Sequence, residues 1–369
     1  MKKIVAVSDI HEISRSWKYL IEMEESYIVG AYVTGRKDPP ELLDEIPVIN
    51  YEQFCAFYKK GVFQKLILPR ERLAGYLVLI SKLKRYGVER EDILLTSSIE
   101  SEKREIIEYD KAGYLPYLEF HVADQCNLNC KGCEHYSGLV KGAKFHDVNS
   151  LRLDLLQLKK FIQEIGRIRI LGGEPLLHPE LGEILKITRD VYPKSYIVVV
   201  TNGLLIKRMG HAFWKDVNDN NVEIQISHYP ELIGKENEII RILEENNVTY
   251  HLSPLMSSFR IKYTLEPQEN AQQIFDQCFQ AHCNNLYEGK MGACFLPFTT
   301  QYFNSTFGTN LPVDGAIDLY DESLTTEKLK RFLQSPFERC KYCKTDYKLI
   351  PWGKIGKENR LQDWIWEYN

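Results

Sequence analysis

Three cysteines fall within one short loop, Cys126-x3-Cys130-x2-Cys133, directly after the apolar run Leu118 to Ala123. About forty residues further on stands Leu171-Gly172-Gly173-Glu174-Pro175, at the end of another strand-like run. Three thiolates can hold three corners of a four-iron cluster and leave the fourth iron open for a substrate or cofactor. A structural zinc knuckle would use four closed ligands, commonly two Cys-x2-Cys pairs, and the three-residue gap between Cys126 and Cys130 fits that poorly. The loop therefore reads as a reactive site.

The two glycines let backbone come close to a ligand, and Glu174 adds a carboxylate suited to an ammonium group. Alone, Gly-Gly-Glu-Pro also reads as a helix-initiating turn with Pro175 near the first helical position. Its order and distance after the cysteine loop set it apart. Two further strand-like runs end in polar residues: Ser195 to Thr201 leads into Asn202-Gly203, and Val222 to Ser227 leads into His228. Barrel-type enzymes gather their ligands at such carboxyl ends. Taken without the cysteine loop, Asn202-Gly203 is a turn pair and Ser227 a strand-end polar residue.

Together these segments resemble the radical S-adenosylmethionine (radical SAM) superfamily, whose signature is the Cys-x3-Cys-x2-Cys spacing of Cys126, Cys130 and Cys133. The resemblance implies a [4Fe-4S] cluster whose open iron chelates S-adenosyl-L-methionine through its amino and carboxylate groups. An electron from the reduced cluster would break the sulfonium, giving a 5′-deoxyadenosyl radical that abstracts hydrogen from an unactivated carbon. Gly172, Gly173 and Glu174 would hold the methionine amino group, and Thr201, Asn202 and Ser227 would border the ribose and the methionine carboxylate. Many members carry an aromatic residue before the third cysteine, and this chain has Gly132 there. Adenine contact would then fall to backbone, His135 or Tyr136. The protein's own task is to set the target C–H beside the 5′ carbon and exclude solvent.

Residues 1–112 alternate strand-like and helix-like runs, with strands at Ile4 to Val7, Tyr27 to Val33, Lys65 to Leu68 and Ile93 to Leu95. Helices are expected near Arg15 to Met23, Tyr51 to Lys60 and Arg72 to Tyr86. The alternation argues for a parallel, doubly wound sheet, and it resembles the small Rossmann-like domains of bacterial surface-polysaccharide enzymes. Ser8-Asp9-Ile10-His11-Glu12 replaces the glycine cradle of a dinucleotide site, and the Asp9-x-His11 pair lacks the partner motifs of a two-metal phosphoesterase. Residues 113–266 read as an α/β partial (β/α)6 TIM-type barrel. Its strands are Leu118 to Ala123, Arg167 to Leu171, Tyr196 to Val200, Val222 to Ile226 and Val248 to Leu252; its helices are Ser150 to Glu164, Pro179 to Val191, Leu204 to Asn218 and Lys235 to Asn246. A sixth strand is not evident.

Residues 267–369 hold five more cysteines, Cys278, Cys283, Cys294, Cys340 and Cys343. Asn284 to Met291 reads as a hairpin with Gly289 at its turn. Gly289-x4-Cys294 followed by Cys340-x2-Cys343 resembles the twitch domain, a shortened SPASM domain that carries an auxiliary [4Fe-4S] cluster. Cys294, Cys340 and Cys343 are the firm ligands and Cys278 the preferred fourth; Cys283 is then spare, or the two exchange roles. A spare thiol could donate a hydrogen atom, as an epimerase requires, or be a buried structural residue. A zinc ribbon would use the same residues without carrying electrons, and a cluster could also simply staple a loop-rich domain.

With 369 residues, 44% hydrophobic and 27% charged, the composition is that of a soluble globular protein, and a net charge of −4 offers no attraction to nucleic acid. No run of eighteen apolar residues spans a membrane, and the opening Met1-Lys2-Lys3 is followed too soon by Asp9, His11 and Glu12 for a signal peptide. Nine cysteines without an export signal point to a reducing cytoplasm; Cys55, alone in a helical run, reads as a small buried apolar residue. The expectation is a cytoplasmic radical SAM oxidoreductase or epimerase acting on a small polar substrate: a sugar, nucleotide sugar or glycan precursor of polysaccharide biosynthesis. Its electrons would come from a flavodoxin- or ferredoxin-type donor. His121, His135, Tyr136, His228 and Tyr229 are the proton acceptors near the presumed mouth. The alternatives are a radical SAM peptide maturase and a non-catalytic metal-binding interaction protein.

Overall fold

The computed structural model describes residues 3–8, 27–34, 40–43, 45–69, 79–80, 82–96, 106–268, 270–356 and 360–366. The chain divides into two compact units, residues 1–116 and 117–369.

The first unit is built on strands β1 (Lys3–Ser8), β2 (Tyr27–Thr34), β3 (Leu42–Leu43), β4 (Ile46–Asn50), β5 (Lys65–Pro69), β6 (Ile93–Thr96) and β7 (Ile106–Glu108). Their order is β3-β4-β2-β1-β5-β6-β7. The central five run parallel, with β3 and β7 antiparallel at the edges. Val5, Val7, Tyr32, Ile67 and Leu94 form part of its core, as strands covered on both faces require. The helix Tyr51–Lys59 starts where Asn50 and Gln53 close a capping box. Strand order reverses between β1 and β5, the place where doubly wound sheets bind ligands. The segments following those strands lie outside the described residues, and with them the expected helix Arg15 to Met23 and the Asp9-x-His11 turn.

The second unit holds β8 (Tyr114–Ala123), β9 (Glu164–Gly172), β10 (Tyr196–Thr201), β11 (Val222–Ile226) and β12 (Tyr250–Leu252), then β13 (Ser258–Tyr263), β14 (Asn285–Tyr287), β15 (Lys290–Gly292), β16 (Ala316–Asp318) and β17 (Cys343–Pro351). One sheet runs β12-β11-β10-β9-β8-β14-β15-β16. Strands β9 through β12 pair in parallel. Every residue of β8 is buried because strands flank it on both sides. Helices Val148–Lys159, Leu181–Val191, His211–Asp219 and Glu236–Glu245 intervene between the strands; the second packs Leu181, Ile184, Leu185, Thr188 and Val191 inward at helical spacing. This βα series is a partial TIM-type barrel.

Several details differ from the sequence expectation: the helix expected to reach Glu164 ends at Lys159, and Glu164 already opens β9. The run from Leu204 is not one helix: a short 3-10 turn at Ile206–Arg208 ends before Gly210, which caps a new helix at His211. The segment after Pro267 lies inside the second unit and extends its sheet, with β14 pairing in parallel with β8. Strands β14 and β15 form the expected hairpin; Glu288 and Gly289, both at positive φ, make its two-residue turn. Strands β13 and β17 pair antiparallel in a separate ribbon.

Candidate active site

The carboxyl ends of β8 to β11 open into one cavity of about 720 Å³. Cys126, Cys130 and Cys133 line it from the loop after β8, together with Gly172, Gly173, Thr201, Asn202 and Ser227 from the strand ends opposite. All three thiols are free. Burial pushes Cys126 up to about 12, with Glu174 and Cys133 adding to the rise, and burial followed by Cys133 raises Cys130 further. Three neighbouring thiolates thus need positive charge among them. An all-thiol set of three suits an iron–sulfur cluster with an open corner. Among the described residues no group of three or more His, Cys, Asp or Glu converges on a single metal ion, whereas a cubane spreads its ligands over separate irons.

The glycines serve the loop before they serve a ligand. A Cβ on Gly172 would lie 2.1 Å from Ala123 O, and one on Gly173 would lie 2.3 Å from Gln125 O. Gly173 N and Glu174 N donate to Ala123 O and Gln125 O at 2.7 and 3.1 Å, stitching this segment to the entry of the cysteine loop. Glu174 is fully buried and turned away from the cavity wall. Its carboxylate accepts from Thr201 Oγ1 (2.6 Å), Asn202 N (2.9 Å) and Leu176 N (3.0 Å). Burial raises it to about 7 against the pull of those donors. Asn202 in turn donates from Nδ2 to Asn127 Oδ1 at 2.8 Å, joining the end of β10 to the cysteine loop. Gly132, at φ 68°, faces Ile350 and Ile261, whose Cδ1 atoms would lie 2.7 and 2.9 Å from a Cβ. An aromatic side chain has no room there.

Of the expected proton acceptors, His135 and Tyr229 line the cavity. Tyr136 is buried in an apolar core with Phe303 and Trp364, and His228 pairs with Glu236 at 3.1 Å. His121 stands behind His135: the two rings stack, with His135 Nδ1 and His121 Nε2 2.7 Å apart. His121 Nδ1 lies 3.5 Å from Asp124 Oδ1. Burial, then His121 and Arg169, hold His135 well below the usual imidazole range, so its ring is neutral. Asp124 is drawn down to about 2 despite its burial, by His121, Tyr287 and Tyr302.

Sequence reading missed the charged wall. Arg169 of β9 donates from Nη1 to Tyr117 Oη (2.8 Å) and Glu119 Oε1 (3.0 Å), and both Arg169 and Glu119 line the cavity. Glu134 and Arg260 complete it. Part of the signal was present: Glu119 and His121 are the charged or imidazole residues of the otherwise largely apolar β8, and Arg169 is one of two arginines in β9.

In the second cysteine group Cys294 is raised by burial and then by Cys278, Cys340 and Cys343. The thiol of Cys340 is pushed up to about 12 by burial, with Cys343 and Cys278 adding to it. These four thiols are thus close enough to feel one another's charge. The Cys283 thiol, fully enclosed, is raised by burial and next by Glu119, with Arg169 opposing, and it does not line the cavity. Lys262 sits beside the second cysteine group, with Glu134 as its acidic neighbour. Its Nζ lies 3.5 Å from Cys278 Sγ, and Cys278 and Glu134 keep it protonated although buried.

Residues 120–254, from within β8 through β12, match the model of the Radical SAM superfamily. The cofactors of that superfamily are a [4Fe-4S] cluster and S-adenosylmethionine. The GTP 3',8-cyclase of Alkaliphilus metalliredigens is 34% identical over 113 residues, 30% of this chain and 34% of that protein. The chain thus spans about a third of the length of that curated relative. Among solved structures, a histidine-tagged form of anSMEcpe with bound AdoMet is similar at 12% identity and a TM-score of 0.40, covering 62% of this chain and 82% of that one. BtrN in complex with AdoMet and 2-DOIA is similar at 15% identity and a TM-score of 0.37, covering 62% and 92%. No helix among the described residues is long and apolar enough to cross a membrane.

Proposed function

We propose that this chain is a radical SAM enzyme that oxidises a carbinol carbon of a small polar substrate: a sugar, nucleotide sugar or glycan precursor. The observation that carries the reading is the shared cavity of Cys126, Cys130 and Cys133 with Gly172, Gly173, Thr201, Asn202 and Ser227. The three thiolates would hold the cluster, and the strand-end residues would border the cofactor. When bound, cluster and cofactor supply a 5′-deoxyadenosyl radical able to take a hydrogen atom from an unreactive carbon.

The chain's own residues do the rest. The charged wall of Arg169, Glu119, Glu134 and Arg260 suits a hydroxyl-rich, polar substrate more than an apolar side chain. Oxidising an alcohol to a carbonyl removes a hydrogen atom, a proton and an electron. We assign the hydroxyl proton to His135, a neutral ring that lines the cavity and is backed by His121 and Asp124. An auxiliary cluster on Cys278, Cys294, Cys340 and Cys343 would accept the electron, and a flavodoxin- or ferredoxin-type donor would supply the one that starts the cycle. Oxidation is favoured over epimerisation because Cys283, the spare thiol, does not line the cavity.

The test is anaerobic reconstitution with iron and sulfide, followed by reductant and S-adenosylmethionine. About eight irons per chain and release of 5′-deoxyadenosine are expected. The Cys126→Ala, Cys130→Ala, Cys133→Ala variant should lose about four irons and all cofactor cleavage. Thermal stabilisation by nucleotide sugars supports the substrate class; stabilisation by peptides alone overturns it.

A further inference from the structure

Cys130, the middle cysteine of the loop, accepts a side-chain hydrogen bond from a residue more than two hundred positions away. Trp352 Nε1 donates to Cys130 Sγ at 3.2 Å. The contact is built rather than incidental, because the segment carrying Trp352 is fastened antiparallel to the loop by backbone hydrogen bonds. Cys130 and Lys354 form an isolated bridge. Lys131 N donates to Gly353 O at 2.9 Å, and Ile355 N donates to Asn129 O at 2.8 Å. Trp352 N is fixed to Ser257 O at 2.8 Å, its ring stacks on Tyr229, and Lys354 pairs with Glu231 at 2.8 Å. Gly138 supplies the room: a Cβ there would lie 2.4 Å from Ile355 Cδ1. The indole is thus anchored through its backbone, its ring face and the next residues in the chain.

A sulfur that ligates an iron–sulfur cluster carries much of the cluster's negative charge. A hydrogen bond to that sulfur stabilises the reduced, more negative state. We propose that Trp352 is a positioning residue that tunes the cluster held by Cys126, Cys130 and Cys133, raising its reduction potential through the indole N–H and clasping the loop with residues 352–355. This rests on the reading that the loop holds a four-iron cluster.

The test is an anaerobic redox titration of the reconstituted full chain, followed by electron paramagnetic resonance. Two variants are compared with wild type: Trp352→Phe, and replacement of Trp352 by 3-benzothienyl-alanine, which keeps the bicyclic shape and lacks the N–H. In both, the midpoint of the loop's cluster should shift to more negative potential at unchanged iron content, while the midpoint of any second cluster stays put. An unchanged midpoint in the benzothienyl-alanine protein overturns the proposal, including the case where Trp352→Phe loses the cluster, since the segment then only covers the loop. If the Cys126→Ala, Cys130→Ala, Cys133→Ala variant binds as much iron as wild type, it is the underlying reading that fails, and that result is separate from any shift in potential.

Discussion

Thr201 Oγ1, in the cavity lining, donates a 2.6 Å hydrogen bond to Glu174 Oε1, which is fully buried and not part of that lining. The carboxylate that sequence alone aimed at a ligand instead holds the end of β10 against the end of β9. Replacing Glu174 with Ala would strand the Thr201 hydroxyl and the Asn202 and Leu176 amides. The expected cost is at least about 3 kcal/mol, from roughly 1–3 kcal/mol for each of the three donors left without a partner, measured by chemical denaturation. The pH dependence has a definite sign. The folded-state carboxyl sits near 7, above its ordinary 4.5. Its contribution is therefore complete below about pH 4.5 and is lost as pH rises through about 7. Glu174→Gln should flatten the stability profile across that window; an unchanged slope would refute the assignment.

Gly173→Ala tests the stitching of the two motifs. The new methyl would meet Gln125 O at 2.3 Å, so backbone rather than a flexible side chain must give way. A penalty of about 1–3 kcal/mol is expected. The loop carrying Cys126 should move with it, and anaerobic reconstitution should yield less iron per chain than wild type. Wild-type iron content in Gly173→Ala would show that the contact is not needed to place the thiols.

Glu119 and Arg169 predict a non-additive pair. Removing the carboxylate alone, in Glu119→Ala, leaves the Arg169 guanidinium with Tyr117 Oη in a mostly buried site. Breaking such a pair costs about 3–5 kcal/mol. The double variant Glu119→Leu, Arg169→Met should recover much of that stability in thermal melts while losing substrate-induced stabilisation. Additive losses would mean that the two side chains act independently.

Much of the barrel was legible because its strands are short apolar runs with polar punctuation. Val222 to Ile226 emerges with the bounds expected, and Gly289 turns the hairpin that its neighbours implied. Contacts that depend on long-range docking were not legible. Nothing near Trp352 marks it as a partner of Cys130, and nothing in the run after Pro267 signals that Asn285 would pair beside Glu119 in β8. The glycine motif reads as a place of close backbone approach to a ligand, and in the structure it is the chain's own backbone that approaches it. Glu174 was legible as important and illegible in direction, because side-chain orientation at a strand end is settled by the donors that the next strand offers.

Asp154 links the helix Val148–Lys159 to the hairpin turn, accepting from Gly289 N at 2.7 Å and Tyr320 Oη at 2.8 Å. Burial works to raise its carboxyl, but His146, Tyr320 and Gly289 bring it below the ordinary 3.8. A depressed carboxyl contributes stability that is present above about pH 4 and is lost as pH falls through the folded-state value. Asp154→Asn should lower stability at neutral pH by about 1–3 kcal/mol and lessen the acid-side loss. An acid limb identical to wild type would place the sensitive carboxylate elsewhere.

Cys278 and Cys283 are five residues apart in sequence yet face different surroundings. Cys278 acts on Cys294, Cys340 and Cys343 and lies 3.5 Å from Lys262 Nζ, whereas the leading charged neighbours of Cys283 are Glu119 and Arg169. Cys283 also feels Cys278 and Cys294, but only after Glu119 and Arg169, which makes Cys278 the preferred fourth ligand. Cys283→Ala should therefore keep about eight irons per chain, while Cys278→Ala should fall toward about four and still release 5′-deoxyadenosine. Iron and sulfide analysis of the two variants side by side decides the ligand. Iron loss confined to Cys283→Ala would reverse it, and would also return Cys283 from a buried structural thiol to the metal site.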